Sequence, residues 1–410
     1  MPQRVWAQYL AARIELLAEE IEAAVIVFDG VAPYRGLTVA RSRMPGTPFV
    51  WFRRGLWQED VNEGQLWKSG LFDLVIEPGD LASGADIGPT ANRHDAVRVA
   101  PVSLLEVVER LDRREAASAL GLDPDSKNIL MTLGSGRLGD ISSSGAIIME
   151  SLLAQDDWHI GVVTSSIAQT HIPATDRDQV VPVRGVFPLA RYLNAFDAAV
   201  SAAGYNSVHE LIPAGTPTLL VPNTDTRTDD QRTRAHTAAT RGLALSANPS
   251  SPDELRRAVA SLLDRGIRRE LAETIAATPS IELGGGAAET VAVLNRLATG
   301  YVPDRASARS FFLRTRSSAR DALKQALGPA GTNLVRRVLG RIPIDTSEML
   351  DVSLGQAIGG IRELRFLDMP STTDLLEPDP VEHLLPGSSE RYREAREKLA
   401  RRFYNVVPHR

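Results

Sequence analysis

The 410-residue sequence contains no cysteine. That excludes disulfide cross-links, thiolate metal sites and cysteine nucleophiles together. No apolar run approaches the ~18 residues that cross a bilayer as a helix, so no membrane-spanning segment is expected. The amino end, MPQRVWAQYLAARIELL, has an early arginine but no apolar stretch before a small-residue cleavage site. It does not read as a secretory leader, and a cytoplasmic location is the default. Positive charge is not in excess either. The formal net charge is −5, which argues against general nucleic-acid binding while leaving room for local basic patches.

What is present is length and alternation. A chain of this size predicts two or three domains, each able to bury a core. Val5–Ala23 places Leu10, Ile14, Leu17 and Ile21 at helical spacing, with Glu19, Glu20 and Glu22 on the other face. Short apolar strands are predicted at Ala24–Phe28, Pro48–Phe52, Leu71–Ile76 and Ala96–Val99, with a helix over Pro33–Ser42. The first three strands end at Asp29-Gly30, Arg53-Arg54-Gly55 and Glu77-Pro78-Gly79. Pro101–Lys127 is a connector with one helix, LLEVVERLDRREAASALGL, stopped at Gly121 and Pro124. Six further strands, beginning with Asn128–Leu133 and ending with Leu243–Ser246, alternate with helices and make a doubly wound unit.

The centre of that unit is Ser201–Asn223, SAAGYNSVHELIPAGTPTLLVPN. It reads as strand end, Gly204 turn, short helix, Gly215-Thr216-Pro217 turn and a second parallel strand. A helix that opens just after a glycine turn leaves unpaired N–H groups and a positive dipole end, which suits a phosphate. Gly204 lets the backbone approach an anion. The Tyr205 amide begins the row of donors. Asn206 and Ser207 either cap the helix or donate to phosphate oxygens. Glu210, one turn on, can accept from two ribose hydroxyls. An ordinary Asn/Ser-capped helix in a parallel sheet would have the same letters.

Downstream, Thr226–Ala235 (TRTDDQRTRA) follows the second strand. Gly204, Ser207, Glu210, Gly215, Pro217, Val221, Pro222, Asp229, Asp230, Gln231 and Ala235 together resemble the donor-binding half of family 28 glycosyltransferases of the GT-B fold. That group includes the N-acetylglucosaminyltransferase of peptidoglycan lipid synthesis. The resemblance covers roughly Asp123–Ala298 and is fainter back to Ala24. It implies an α/β, GT-B-like architecture: two Rossmann-like parallel-sheet domains facing a cleft, at 1–115 and 116–299, with a mostly helical extension at 300–410. The first domain would be incomplete, because the family's opening βα unit with its Gly-rich loop has no counterpart before Met1.

The resemblance also implies roles. Gly134, Ser135, Gly136 and Arg137, after the strand at Asn128–Leu133, would lie beside the donor diphosphate; a plain strand-to-helix turn is the alternative. Val186 and Phe187 would pack on the nucleobase, with Phe187 equally able to be core. Asp229, Asp230 and Gln231 would reach donor-sugar hydroxyls, or serve only as partners of a helix dipole. The expected donor is a nucleotide sugar, with uridine diphosphate as leaving group. No cofactor and no metal are expected, since no Asp-x-Asp motif stands at a strand end; Asp123–Asp125 reads as a turn. For the general base, Asp29 is the candidate, with turn capping as its alternative. Arg53 and Arg54 would receive an anionic acceptor such as a lipid phosphate, or be solvated. His209 reads as packing.

The extension carries Arg305, Arg309, Arg314, Arg316, Arg320, Arg336, Arg337 and Arg341 with an apolar face of Phe311, Phe312, Leu313, Leu323 and Leu327. Such a helix packs on its own protein or makes a peripheral contact with an anionic membrane. Three functions compete. The first is a hexosyltransferase with an unknown acceptor. The others are a nucleotide-sugar 2-epimerase and a non-catalytic nucleotide-sugar-binding subunit that needs a partner.

Overall fold

The computed structural model describes residues 3–133, 142–163, 177–224, 226 and 228–302. The expected extension beyond residue 302 lies outside the described residues. Among the described residues, ten strands form two sheets. The first has the order β1 (Ile26–Asp29), β2 (Phe49–Phe52), β3 (Leu74–Pro78), β4 (Val97–Val99). The second contains β5 (Lys127–Thr132), β6 (Trp158–Val163), β7 (Val180–Val183), β8 (Ala198–Ser201), β9 (Thr218–Leu220) and β10 (Leu245–Ser246), in the order β10-β9-β8-β5-β6-β7. All its pairings are parallel. The helices are α1 (Gln3–Glu20), α2 (Arg35–Arg43), α3 (Arg113–Leu120), α4 (Ser142–Leu153), α5 (Tyr205–Leu211), α6 (Gln231–Thr240), α7 (Pro252–Leu263), α8 (Arg265–Ala277), α9 (Ser280–Leu283) and α10 (Gly286–Gly300).

The chain divides into two compact units. One is Met1–Trp51, Gly64–Val75 and Leu294–Arg410; the other is Phe52–Glu63 and Ile76–Val293. The boundary expected after residue 115 falls inside the second.

In the first unit, α1 packs on α2 through small residues. Ala7, Ala11, Ala18 and Ala40 are buried, and a Cβ on Gly36 would come within 2.8 Å of the Ala7 carbonyl oxygen. The stripe of large residues divides: Leu10 lies against Gly36 and Ile14 packs on the core, whereas Leu17 and Ile21 are 39% and 50% exposed. A close helix crossing selects alanine and glycine beside the large residues.

In the second unit, the central strands β5, β8 and β9 are buried on both faces, which is why they read as unbroken apolar runs. Alternate residues go to opposite sides. Ile129, Met131, Ala198 and Val200 enter one core, and Leu130 and Ala199 another. The single helix expected across Leu104–Leu122 is two elements. A 3-10 turn at Leu104–Glu106 closes with a capping box between Ser103 and Glu106. α3 then starts afresh, because Asp112 accepts from the Glu115 amide, and it ends at Gly121 with φ 73°. Two sets of caps outweigh one continuous periodicity.

Candidate functional site

In an open parallel sheet, ligands bind beyond the carboxyl ends of the strands, where the strand order reverses. That point lies between β5 and β8, which pair with Met131 opposite Val200 and Thr132 opposite Ser201. Gly134, Ser135, Gly136 and Arg137, which follow β5 in the sequence, lie outside the described residues. The loop after β8 is Ala202–Gly204, and it leads directly into α5.

α5 begins without a side-chain cap. Gly204 is its N-cap residue, at φ −67° and ψ 152°, and among the described residues no side chain caps the first turn. Asn206 is exposed and Ser207 half-buried, and neither side chain has a hydrogen-bond partner among the described residues. The Gly204 backbone is one any residue adopts, and a Cβ there would meet only Gln231 Nε2, at 3.8 Å. Among the described residues, neither backbone strain nor packing asks for glycine here.

Glu210 lies one turn further along α5. It is half-buried, its carboxylate has no hydrogen-bond partner among the described residues, and burial pushes its carboxyl up to about 7. Tyr205 faces inward. Its hydroxyl donates to the Gly79 carbonyl and accepts from the Val102 amide, both at 3.0 Å. Only its backbone is left for a ligand. His209 stacks on Tyr205 with centroids 4.2 Å apart. Its Nδ1 lies 2.8 Å from the Tyr205 carbonyl and its Nε2 accepts from the Leu81 amide, so the proton sits on Nδ1. Burial lowers its pKa and keeps it neutral. It is a packing residue, as its position in the sequence suggests.

Across the switch point, residues 228–230 pair with 56–58. Gln58 N donates to the Thr228 carbonyl, Asp230 N donates to the Leu56 carbonyl, and Trp57 and Asp229 form an antiparallel bridge. Asp230 caps α6: its carboxylate accepts from the Thr233 amide at 3.0 Å and the Thr233 hydroxyl at 2.6 Å. Gln231 is buried, accepts from the Asn223 amide, and sits beside Gly204. Asp229 gives Oδ1 to Arg234 Nη2 at 2.7 Å. Arg234 is fully buried and also donates Nε to Asp80 at 2.8 Å and Nη1 to the Ala203 carbonyl at 2.8 Å. Burial works against both charges of the Asp80–Arg234 pair. Their attraction overrides it, holding Asp80 below the usual carboxylate range and raising Arg234. Arg234 and Asp80 escape sequence reasoning. One is an arginine in a basic-looking stretch, and its partner lies 154 residues away.

The remaining candidates separate. Arg53 is a correction: it is neither solvated nor open to an acceptor. It is fully buried and ion-paired with Glu77 at 2.9 Å and Asp95 at 3.0 Å. Glu77 is tied in turn to Arg98 at 3.3 Å. Arg54 instead lies with its guanidinium 5.0 Å from the Tyr205 ring centroid, next to the α5 start. Val186 packs partly on the α3 side of the core, whereas Phe187 is 64% exposed and is not core. Asp29 belongs to the other unit and is exposed at the end of β1. Among the described residues, no three His, Asp or Glu side chains gather to hold a metal, and no helix is long and apolar enough to cross a membrane.

The glycine turn after β8, the carboxylate one turn on and the capped Asp-Asp-Gln helix start fall within one short stretch of sequence. Residues 170–280 match the glycosyltransferase family 28 C-terminal domain. A curated relative from Salinibacter ruber carries the same region. It is described as UDP-N-acetylglucosamine–N-acetylmuramyl-(pentapeptide) pyrophosphoryl-undecaprenol N-acetylglucosamine transferase, and it is 30% identical over 161 residues, covering 38% of this chain and 43% of the relative. The chain thus covers less than half the length of the curated relatives it matches. Two solved structures share the fold. A Staphylococcus aureus MnaA–UDP co-structure has a TM-score of 0.52 at 12% identity, covering 74% of this chain and 84% of its own. A Listeria monocytogenes structure, described as a UDP-N-acetylglucosamine 2-epimerase, has 0.50 at 14%, covering 73% and 81%. At such identities the likeness concerns fold alone, and the fold is α/β of the GT-B type. The family 28 segment spans β7 to β10, so the Gly204 loop, Glu210 and Asp229–Gln231 all lie inside it.

Proposed function

We propose that this protein is a glycosyltransferase that takes a hexosyl group from a nucleotide sugar, with uridine diphosphate as the leaving group and no bound metal. The observation that carries the reading is the uncapped start of α5 at the strand-order reversal, inside the family 28 segment. In this reading the diphosphate rests on the amides from Tyr205 to Ser207. Glu210 accepts from the ribose hydroxyls, and Phe187 covers the base. Asp229 and Gln231 face the sugar, while Asp230 is kept for the helix cap. Gly134, Ser135, Gly136 and Arg137 stay in the proposal on resemblance alone.

The chemistry follows from those placements. The acceptor oxygen attacks the anomeric carbon, the bond from that carbon to the diphosphate oxygen breaks, and the electron pair leaves with the diphosphate. Negative charge then grows where the α5 amides point and where Arg54 places a cation, and that arrangement replaces a metal. A carboxylate base takes the acceptor proton; Asp29 remains the candidate. Because Arg53 is committed to Glu77 and Asp95, an anionic or lipid-linked acceptor would have to be met elsewhere. Work at the inner face of a membrane, or alongside a partner subunit, is compatible with this reading.

Calorimetry with a panel of nucleotide sugars on the full chain tests it, followed by product analysis with and without candidate acceptors. Tight, selective binding of one uridine diphosphate sugar is expected. Epimerised sugar in the absence of acceptor would replace the transferase reading with the epimerase one. Binding without turnover until a second protein is added would favour the subunit reading.

A further inference from the structure

We propose that Arg234 is a positioning residue for the donor sugar: it aims the Asp229 carboxylate and fixes the backbone just before the Gly204 turn. The inference rests on the reading of Asp229 as a sugar ligand given above. The guanidinium spends three donors in three directions. Nε goes to Asp80, Nη1 to the Ala203 carbonyl and Nη2 to Asp229 Oδ1, at 2.8, 2.8 and 2.7 Å. A planar fork can hold three acceptors at fixed angles; a lysine ammonium in the same place cannot reproduce that geometry.

The charge balance gives the cluster a direction. Asp80 and Asp229 outnumber Arg234, so the three side chains carry one net negative charge. Asp80 is 3% exposed and Asp229 30% exposed. The surplus charge is therefore accessible at Asp229. Its Oδ1 is taken and its Oδ2 has no hydrogen-bond partner among the described residues. Its backbone is pinned as well, since the Asp229 carbonyl accepts from Gln58 Nε2 at 3.2 Å and Thr226 Oγ1 at 2.6 Å. A carboxylate oxygen held in place, with no donor to it among the described residues, is what a sugar hydroxyl requires. Asp230, one residue on, has both oxygens occupied by Thr233 and offers nothing comparable.

The test measures, by calorimetry on the full chain, affinity for UDP-N-acetylglucosamine relative to UDP. Arg234→Lys keeps the charge and loses the fork. The expected result is a fall of about tenfold in that ratio, the scale of one hydrogen bond to a charged group, with UDP affinity itself down no more than about threefold. In an Asp229→Asn background the same substitution should leave the ratio where Asp229→Asn alone puts it, because the two act as one unit. If Arg234→Lys does not fold, Asp80→Asn loosens the guanidinium from its far side, and the ratio should move the same way by a smaller factor. An unchanged ratio in either folded variant overturns the inference and leaves Arg234 with a purely structural role. Wild-type protein that binds UDP yet shows no preference for the sugar conjugate overturns both the role of Asp229 and this inference. Wild-type protein that binds neither probe fails at the donor reading itself.

Discussion

Two helices of the same unit start in opposite ways. α6 begins at Asp230, whose two oxygens close off the first turn through Thr233. α5 begins at Gly204, with no side chain to do so. The two starts lie together, since Gln231, the first residue of α6, sits against Gly204. A closed helix end is a stability device; an open one beside it, at a strand-order reversal, is free to take an anion. Six acidic or polar residues in this region look equivalent as letters. Their uses divide according to whether the protein has already consumed their hydrogen bonds.

That contrast can be broken by closing the open end. Gly204→Asp fits the backbone angles of a capping residue, and its Cβ has room. Nucleotide affinity should fall by about a hundredfold or more, about 2.7 kcal/mol, while thermal stability stays level or rises by a few tenths of a kcal/mol. Calorimetry and a melting curve on the same preparation check both halves. Retained affinity would show that the anion does not sit there.

Removing the carboxylate one turn on is the next largest effect. Glu210→Ala should weaken nucleotide binding by about 1–3 kcal/mol if it receives the ribose hydroxyls. Its raised pKa adds a pH signature. In the wild type, affinity should strengthen as pH rises through about 7, where the acceptor becomes ionised. Stability moves the other way. The folded protein binds this proton more tightly than the unfolded chain does. The ionised form is therefore a burden that grows between the usual glutamate range and about 7 and then stays constant. Glu210→Gln should accordingly stabilise the protein by about 1–2 kcal/mol at pH 8 and by almost nothing at pH 4. Denaturant titrations at the two pH values decide this. The smallest effect belongs to the closed end: Asp230→Ala should cost about 1 kcal/mol of stability, with nucleotide affinity within twofold of wild type.

The centre of the second sheet is legible in the sequence because strands buried on both faces leave no polar alternation to confuse the reading, as at Ala198–Ser201. The loop after β8 is legible for a related reason: glycine, then a short helix, then Gly-Thr-Pro is local grammar. Long-range pairing is not. Arg53-Arg54 reads as a basic strand end, yet the two side chains part company. Arg53 goes inward to Glu77 and Asp95, 24 and 42 residues on, and Arg54 lies over Tyr205. Arg234 similarly looks like surface charge until Asp80 is placed against it. On α1 the large residues draw attention, and Leu10 does lie at the helix crossing, but the closeness of that crossing depends on Ala7, Ala11 and Gly36, which carry little hydrophobic signal of their own.

The strip at 56–58 that binds 228–230, and Asp80 lodged on Arg234, bear on how this protein can be dissected. A fragment excised at residues 116–299 would leave behind Leu56, Gln58 and Asp80. Such a piece would keep every recognisable motif. It would also carry a guanidinium in its interior with half its counter-charge gone, and the 228–230 segment with its fastening removed.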